Sequence, residues 1–303
     1  MDIIFEIKKK IIKFKTCLIK DKKLRQQTRA QIVDDLIDKK VEKTKWGVSY
    51  SVYDGEELLE ASIKSIRDSV DYVGVVYQTK SWYGEEADKN LVPLLLNLKE
   101  KGLIDELIKF EPNLKINAGK NERTKRTLGI KCAKKAKVNY LMCMDTDEFF
   151  LKHELEQAKK TIINEHITHS YCPIVCYTNN PKERYVDISG FAIPFFSKIN
   201  HFSKAGKNYS QSIVLTDPNR TISANPFSKH YFLCGIRMHH FTSIRKDFEK
   251  KLRSSSCAQA KEFYELNKGK RNPNIYIYIS DDIFKIQQCL ENYNKEYSCH
   301  SNL

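Results

Sequence analysis

The sequence predicts an α/β protein built on a mostly parallel sheet flanked by helices, with helical extensions at both ends. Three observations predict it. From Trp46 onward, short apolar runs alternate with amphipathic stretches, the order that lays crossover helices over the faces of a parallel sheet. The run Tyr140-Leu-Met-Cys-Met ends abruptly in Asp145, Asp147 and Glu148, as a strand does when its carboxyl end opens onto a crevice. Lysine-rich segments with helical spacing occupy residues 1–40 and the region after Ile244.

In chain order, Ile4, Ile7, Ile11, Phe14 and Leu18 recur at helical spacing with lysines between them, which predicts a basic amphipathic helix in an extension over 1–44. Such a helix suits an anionic membrane surface or a seat on the following domain. Trp46 to Tyr53 reads as a strand, Glu56 to Ser69 as a helix, and Tyr72 to Gln78 as a second strand. A helix over Glu86 to Lys101, a strand near Leu107, a helix over Gly119 to Lys135 and a strand over Val138 to Met144 continue the alternation. Residues 45–150 therefore read as a Rossmann-like nucleotide-binding half of a domain spanning 45–255. In the remainder, 151–255, a helix near Glu154 to Asn164 precedes β-rich stretches at Ser170 to Thr178 and Tyr185 to Pro194, then a polar loop at Asn200 to Ser212. A charged helix from Ile244 to about Leu266, a linker at Lys268 to Pro273 and a helix from Asp281 close the chain, with a tail over 256–303.

Composition narrows the function. In 303 residues, 41% hydrophobic content is enough for a sizeable core. No run of about 18 apolar residues appears, and Lys8, Lys9, Lys10, Lys13 and Lys15 interrupt any secretory signal. The expected location is the cytoplasm, with a peripheral place on the inner face of the cytoplasmic membrane open. Nine irregularly spaced cysteines make a poor disulfide framework. Cys172 and Cys176 have no second Cys/His pair at zinc-site spacing. The net charge of +14 is gathered at residues 1–25, Lys115 to Lys137 and Arg245 to Arg253. A net charge of this size can mean nucleic acid, an anionic membrane surface or phosphate-bearing substrates; three separate clusters read as three separate jobs and not one continuous nucleic-acid stripe.

Asp145-Thr146-Asp147 carries the strongest chemistry. Two carboxylates two residues apart on extended backbone can face one side, where hard oxygens suit Mg²⁺ or Mn²⁺. The competing reading is an acidic turn before Phe149.

The stretch Asn121-Glu-Arg-Thr-Lys125-Arg126-Thr127 through Asp145-Thr146-Asp147-Glu148-Phe149 resembles family 2-type glycosyltransferases of the GT-A fold. There a basic helix leads into a strand that ends in a metal-binding Asp-x-Asp. Trp46-Gly-Val-Ser-Tyr-Ser-Val-Tyr-Asp54-Gly-Glu56 is similar to their first strand and nucleotide-contacting loop, and the resemblance spans about residues 46–255. It implies that Asp145 contacts ribose and metal, Asp147 binds the metal, Arg126 approaches the donor phosphates, and Asp54 or Glu56 lies by the nucleoside. Gln78 stands where many relatives have an acidic base-contacting residue, and Thr127 where Asn is common. A late histidine often adds a metal ligand, which points to His239 or His240; adjacent strand residues face opposite ways, so one of the two reaches the metal. Arg245 and Lys251 could hold the diphosphate. An inverting enzyme also needs a general base, for which Asp187, with Glu183 nearby, is the candidate.

These readings imply a metal-dependent transferase that moves a sugar from a nucleotide-sugar donor to a glycan or lipid-linked acceptor in bacterial surface polysaccharide or lipooligosaccharide synthesis. A sugar nucleotidyltransferase is the nearest rival, but Tyr53-Asp54-Gly55-Glu56 lacks the glycines and arginine that cradle a triphosphate. A basic nucleic-acid-binding protein explains the charge and leaves the carboxylates at a strand end unexplained.

Overall fold

A computed structural model of the chain describes residues 3–177, 184–186, 191–206, 213–223, 227–242, 244 and 247–256. The N-terminal extension forms two helices, α1 (Ile3–Thr16) and α2 (Lys22–Glu42). Between them Asp21 caps α2, its carboxylate accepting the Leu24 N–H at 2.6 Å. The pair is seated on the α/β body: Phe5 and Ile37 are buried with the main core, and the Trp46 indole donates to the Val41 carbonyl at 3.2 Å.

Four parallel strands form the middle and one flank of the main sheet: β1 (Trp46–Val52), β2 (Tyr72–Tyr77), β3 (Glu106–Lys109) and β4 (Tyr140–Met144). Among them run α3 (Glu56–Ile66), α4 (Leu91–Glu100) and α5 (Ala118–Lys135). β5 (Glu148–Phe149) and α6 (Lys152–Asn164) follow, then β6 (His169–Cys172), β7 (Ile174–Tyr177), β8 (Arg184–Val186) and β9 (Ile193–Lys198). β10 (His230–Phe232), β11 (Met238–His240) and α7 (Phe248–Ser254) complete the described elements.

Among the described residues the main sheet has seven strands in the order β10-β6-β9-β4-β1-β2-β3, with β9 antiparallel to both neighbours and the other pairs parallel. The expected α/β fold with a mostly parallel, helix-flanked sheet is therefore what the chain adopts. Strands β1 and β4 are almost wholly buried, which is why they read as continuous apolar runs. The registers Val52↔Tyr77 and Tyr50↔Met144 set the carboxyl ends of β1, β2 and β4 side by side. A smaller sheet has the order β5-β11-β7-β8, its strand β5 following the end of β4 by four residues.

Helix α5 lies close on β1 because Gly129 allows it: a Cβ there would come within 2.0 Å of the Ser49 hydroxyl and 3.2 Å of Val76. Gly129→Ala is expected to lower stability by about 1–3 kcal/mol through overpacking, read as a fall in the urea midpoint.

Several boundaries differ from expectation, each for a local reason. The helix expected from Glu86 begins at Leu91, because Asp88 accepts the Asn90 N–H at 2.7 Å and the Ser81 hydroxyl accepts from Tyr83 and Glu85, holding a loop instead. The β-rich stretch from Ser170 divides at Pro173, which has no N–H for a ladder; β6 joins the large sheet and β7 the small one. The charged helix expected over Ile244 to Leu266 is much shorter in its described part: Asp247 caps α7, and Ser255 is extended with ψ 142°. The serine run at 254–256 favours local hydrogen bonds over helix. The remaining tail, with the linker at Lys268 to Pro273 and the helix from Asp281, lies outside the described residues, as do Asp187, Glu183 and Arg245.

At the far side of the main sheet, His169 of β6 is stacked on His230 of β10, ring centroids 4.9 Å apart. Burial, then the neighbouring imidazole, pushes His169 down to about 4. An unfolded histidine titrates near 6.5, so the neutral form favours the fold above that pH, and its contribution is lost as pH falls through about 4. Urea midpoints at pH 7 and pH 4 should register a loss on the order of 3 kcal/mol from this group. His169→Gln should flatten that part of the profile.

Candidate functional site

The loops that follow β1, β2 and β4 meet at the carboxyl ends of these parallel strands, the place where open α/β sheets take their ligands. After β1, Gly55 takes a left-handed φ of 73° and turns the chain into α3. The Thr146 hydroxyl donates to the Asp54 carbonyl at 3.1 Å, fastening the β4 loop to the β1 loop. After β2, Gln78 is buried; its backbone N–H donates to the Val52 carbonyl at 3.0 Å and its side-chain amide to the Lys80 carbonyl at 2.7 Å. Burial raises the Glu56 carboxyl at the start of α3 above its ordinary range.

Asp145 is held from two sides. A guanidinium nitrogen of Arg126, on α5, lies 3.0 and 3.3 Å from its two oxygens. Arg220, from the segment after β9, approaches one of them at 3.7 Å. Burial works against ionisation of Asp145, but Arg126, Arg220 and Lys251 outweigh it and hold the carboxyl well below the usual range. The two arginines have further anionic partners. Arg126 donates to Glu122 at 2.9 Å. Arg220 grips Glu148 with both terminal nitrogens, one at 2.7 Å, and donates to the Cys143 carbonyl at 2.7 Å. One terminal nitrogen of Arg126 is buried and has no hydrogen-bond partner among the described residues.

Asp147 is fully buried. Its backbone carbonyl accepts the Phe241 N–H at 2.8 Å, and β11 runs antiparallel to β5 just beyond. That pairing carries His240 to the carboxylate: imidazole Nε2 lies 3.6 Å from Asp147 Oδ2, and Lys251 Nζ of α7 lies 3.6 Å from the same oxygen. Burial lowers the affinity of His240 for a proton, but Asp147 more than offsets it, and the ring is pushed up to about 9. His239 faces the other way. Its ring is fully buried against Tyr177, with Nδ1 2.9 Å from the hydroxyl, in the cluster of Phe149 and Phe241. Of the two expected histidines, the strand pleat thus brings His240 to Asp147 and turns His239 into the core.

Three side chains of the site carry no recognisable signal in the sequence. Arg220 and Asp217 sit in a segment without periodicity; Asp217 is close enough to Glu122, Arg126 and Arg220 to interact with their charges. Lys125 reads as one more surface lysine of a basic helix, yet it is buried, donates to the Val52 carbonyl at 2.8 Å and lies over the Trp82 ring at 5.5 Å. Burial, then Arg126 beside it, pushes Lys125 down to about 7. Only its place directly before Arg126, on the helix packed against β1 and β2, could have suggested a role.

Taken together, Glu122, Asp145, Asp147, Glu148 and Asp217 are nearly balanced by Lys125, Arg126, Arg220, His240 and Lys251. Among the described residues no group of three or more His, Cys, Asp or Glu is arranged to hold a metal. Asp147 and His240 do offer a hard oxygen and an imidazole nitrogen 3.6 Å apart, whereas Asp145 is turned to the arginines. Two protein donors suit Mg²⁺ or Mn²⁺ when phosphate oxygens complete the shell. The two histidines should separate on mutation. His240→Ala is expected to weaken Mn²⁺ binding by about 100-fold with little loss of stability. His239→Gln should lower the thermal midpoint and leave Mn²⁺ affinity of the folded protein within about threefold. Thermal scans and metal titrations on both variants check this.

No protein-family model matches the chain, and no curated protein matches it in sequence. Solved structures do match. S. aureus TarS 1-349 in complex with UDP-GlcNAc is 14% identical with a TM-score of 0.40, over 84% of this chain and 73% of that one. GalNAc-T7 with UDP, GalNAc and Mn²⁺ is 11% identical with a TM-score of 0.40, over 83% of this chain and 54% of that one. S. aureus TarS 1-349 with UDP is 14% identical with a TM-score of 0.35, over 45% of this chain and 37% of that one. The chain thus spans about half of GalNAc-T7 and little more than a third of the TarS structure with UDP. Likeness at this level assigns no residue a role, and the chemistry rests on the site itself.

Proposed function

We propose that the chain is a glycosyltransferase of GT-A type. It moves a sugar from a nucleotide-sugar donor, held at Asp145-Thr146-Asp147, to a glycan or lipid-linked glycan acceptor in bacterial surface polysaccharide or lipooligosaccharide synthesis. One observation supports this most: the fold brings His240 and Lys251 from the end of the described chain to within 3.6 Å of Asp147, beside Asp145 and Arg126. A carboxylate pair at strand ends, ringed by cations from three other elements, is suited to a diphosphate.

In this reading residues 45–150 carry the donor and 151–255 face the acceptor. Asp54, Glu56 and Gln78 line the nucleoside end, and Asp145 lies by the ribose. Arg126 and Lys251 steady the diphosphate as negative charge develops on it, Arg126 through its fork and Lys251 as a point charge. The named acids and bases nearly balance, so an incoming diphosphate calls for added positive charge. Asp147 and, after giving up its proton, His240 would hold a divalent cation, Mg²⁺ or Mn²⁺, which when bound supplies Lewis-acid neutralisation of the leaving diphosphate. Arg245 as a further phosphate contact and Asp187 as the base lie outside the described residues. A lipid-linked acceptor adds one requirement, contact of the protein with the bilayer that holds it.

Incubation with a panel of nucleotide sugars and Mn²⁺ or Mg²⁺ tests the reading. Release of a nucleoside diphosphate from at least one donor is expected. Release of pyrophosphate from a nucleoside triphosphate and a sugar phosphate, with no diphosphate release, would instead identify a nucleotidyltransferase.

A further inference from the structure

Helix α1 wears its apolar side outward. With successive residues about 100° apart around a helix, Ile3, Ile4, Ile7, Ile11 and Phe14 fall in one stripe roughly 100° wide. All five are exposed, Ile4 at 67% and Phe14 at 77%, and Leu18 just beyond the helix is 84% exposed. The opposite side holds α1 to the protein. Phe5 is buried, Glu6 meets His166 at 2.9 Å, Lys9 donates to Asn164 at 2.8 Å, and Arg29 of α2 donates to the Thr16 hydroxyl at 3.1 Å. A helix docked through the side that carries Phe5, Glu6 and Lys9, with isoleucines of the other side in water, has that outer apolar face set for something other than the core of this chain.

Charge identifies what covers it. Lys10 borders the stripe on one side and Lys8 and Lys15 on the other, with Lys13 further round beyond Glu6; all four lysines are exposed. The one acid of α1, Glu6, lies on the docked side against His166, so no carboxylate of the helix interrupts the outward face. An apolar band edged on both sides by lysines seats its side chains at the acyl boundary and its cations among anionic headgroups. No described helix is long and apolar enough to cross a membrane, so such contact would lie along the surface.

We propose that α1 is a membrane-surface helix that docks the protein on anionic lipid through Ile3, Ile4, Ile7, Ile11, Phe14 and Leu18, with Lys8, Lys10, Lys13 and Lys15 on headgroup phosphates. This does not depend on the donor chemistry, because binding to lipid is read without any nucleotide sugar.

Cosedimentation of the full chain with vesicles tests it. Binding to mixed phosphatidylglycerol and phosphatidylcholine vesicles is expected, with far weaker binding to phosphatidylcholine alone and a decline as salt rises. Replacing Ile7 and Ile11 together by Asp should weaken binding about 100-fold, on the order of tenfold for each isoleucine withdrawn from the acyl boundary. Each of Lys8, Lys10, Lys13 and Lys15 changed to Gln should weaken it about fivefold. Because all these side chains are exposed, unchanged circular dichroism is expected of every variant, and the lysine series stands even if the double aspartate variant misfolds. Absence of binding to the anionic vesicles, or equal binding to neutral ones, overturns the proposal. So does a concentration-dependent dimer that the isoleucine substitutions abolish without any effect on lipid, since the face would then belong to a second copy.

Discussion

Asp147→Asn is expected to reduce nucleotide-sugar turnover by about 1,000-fold while leaving a folded protein. The change is isosteric and removes only charge, at a carboxylate that is fully buried with His240 and Lys251 each 3.6 Å from one oxygen. Two consequences add in the same direction. The hard oxygen donor for a divalent cation becomes a weak amide donor. Lys251 loses the carboxylate partner 3.6 Å from its ammonium. Asp147→Ala should reach the same loss in activity with a larger loss of stability, because a void and two uncompensated cations remain. Turnover within tenfold of the unaltered protein, with circular dichroism unchanged, would remove Asp147 from the centre of the site.

The largest effect on stability is expected at Arg220. Its guanidinium is buried, bonded to both oxygens of the buried Glu148 and to the Cys143 carbonyl. Arg220→Met leaves Glu148 as an unpaired charge in the interior, which costs about 3–5 kcal/mol. In a chain of this size that corresponds to a fall of roughly 10 °C in the thermal midpoint. Changing Glu148 to Met as well should recover most of it, since a buried ion pair is often replaced by apolar side chains without loss. The double variant should nevertheless have weak donor binding, because Arg220 also approaches Asp145 at 3.7 Å. A single-variant loss below about 1 kcal/mol would contradict the role given to this pair.

Much of the fold was legible because β1, β2, β4 and α5 are governed by local patterns: apolar runs, helical period, and acids directly after Met144. The placement of Asp145 and Asp147 after β4, and of Arg126 on α5, was legible for the same reason. Arg220, Asp217 and Lys125 were not, because their roles come from burial and long-range charge pairing. A lysine that caps the Val52 carbonyl and a lysine in water look alike in one dimension. The choice between His239 and His240 needed the register of β11 on β5, and the division at Pro173 needed to know that β6 and β7 enter different sheets. For α1 the period was readable but its direction was not: the same stripe would mark a core-facing helix, and only the seating of Phe5, Glu6 and Lys9 on the body turns it outward.

The central claim, that the crevice at the ends of β1, β2 and β4 is a nucleoside-diphosphate site assembled around Asp147, is tested most directly by equilibrium titration. Each common nucleoside diphosphate would be titrated into the full chain by calorimetry, with Mn²⁺ or Mg²⁺ and again with chelator. At least one should bind with metal, at least about tenfold more weakly without it, and not measurably to Asp147→Asn; a folded protein that binds none of them under either condition, or binds one equally well after that substitution, would contradict the account.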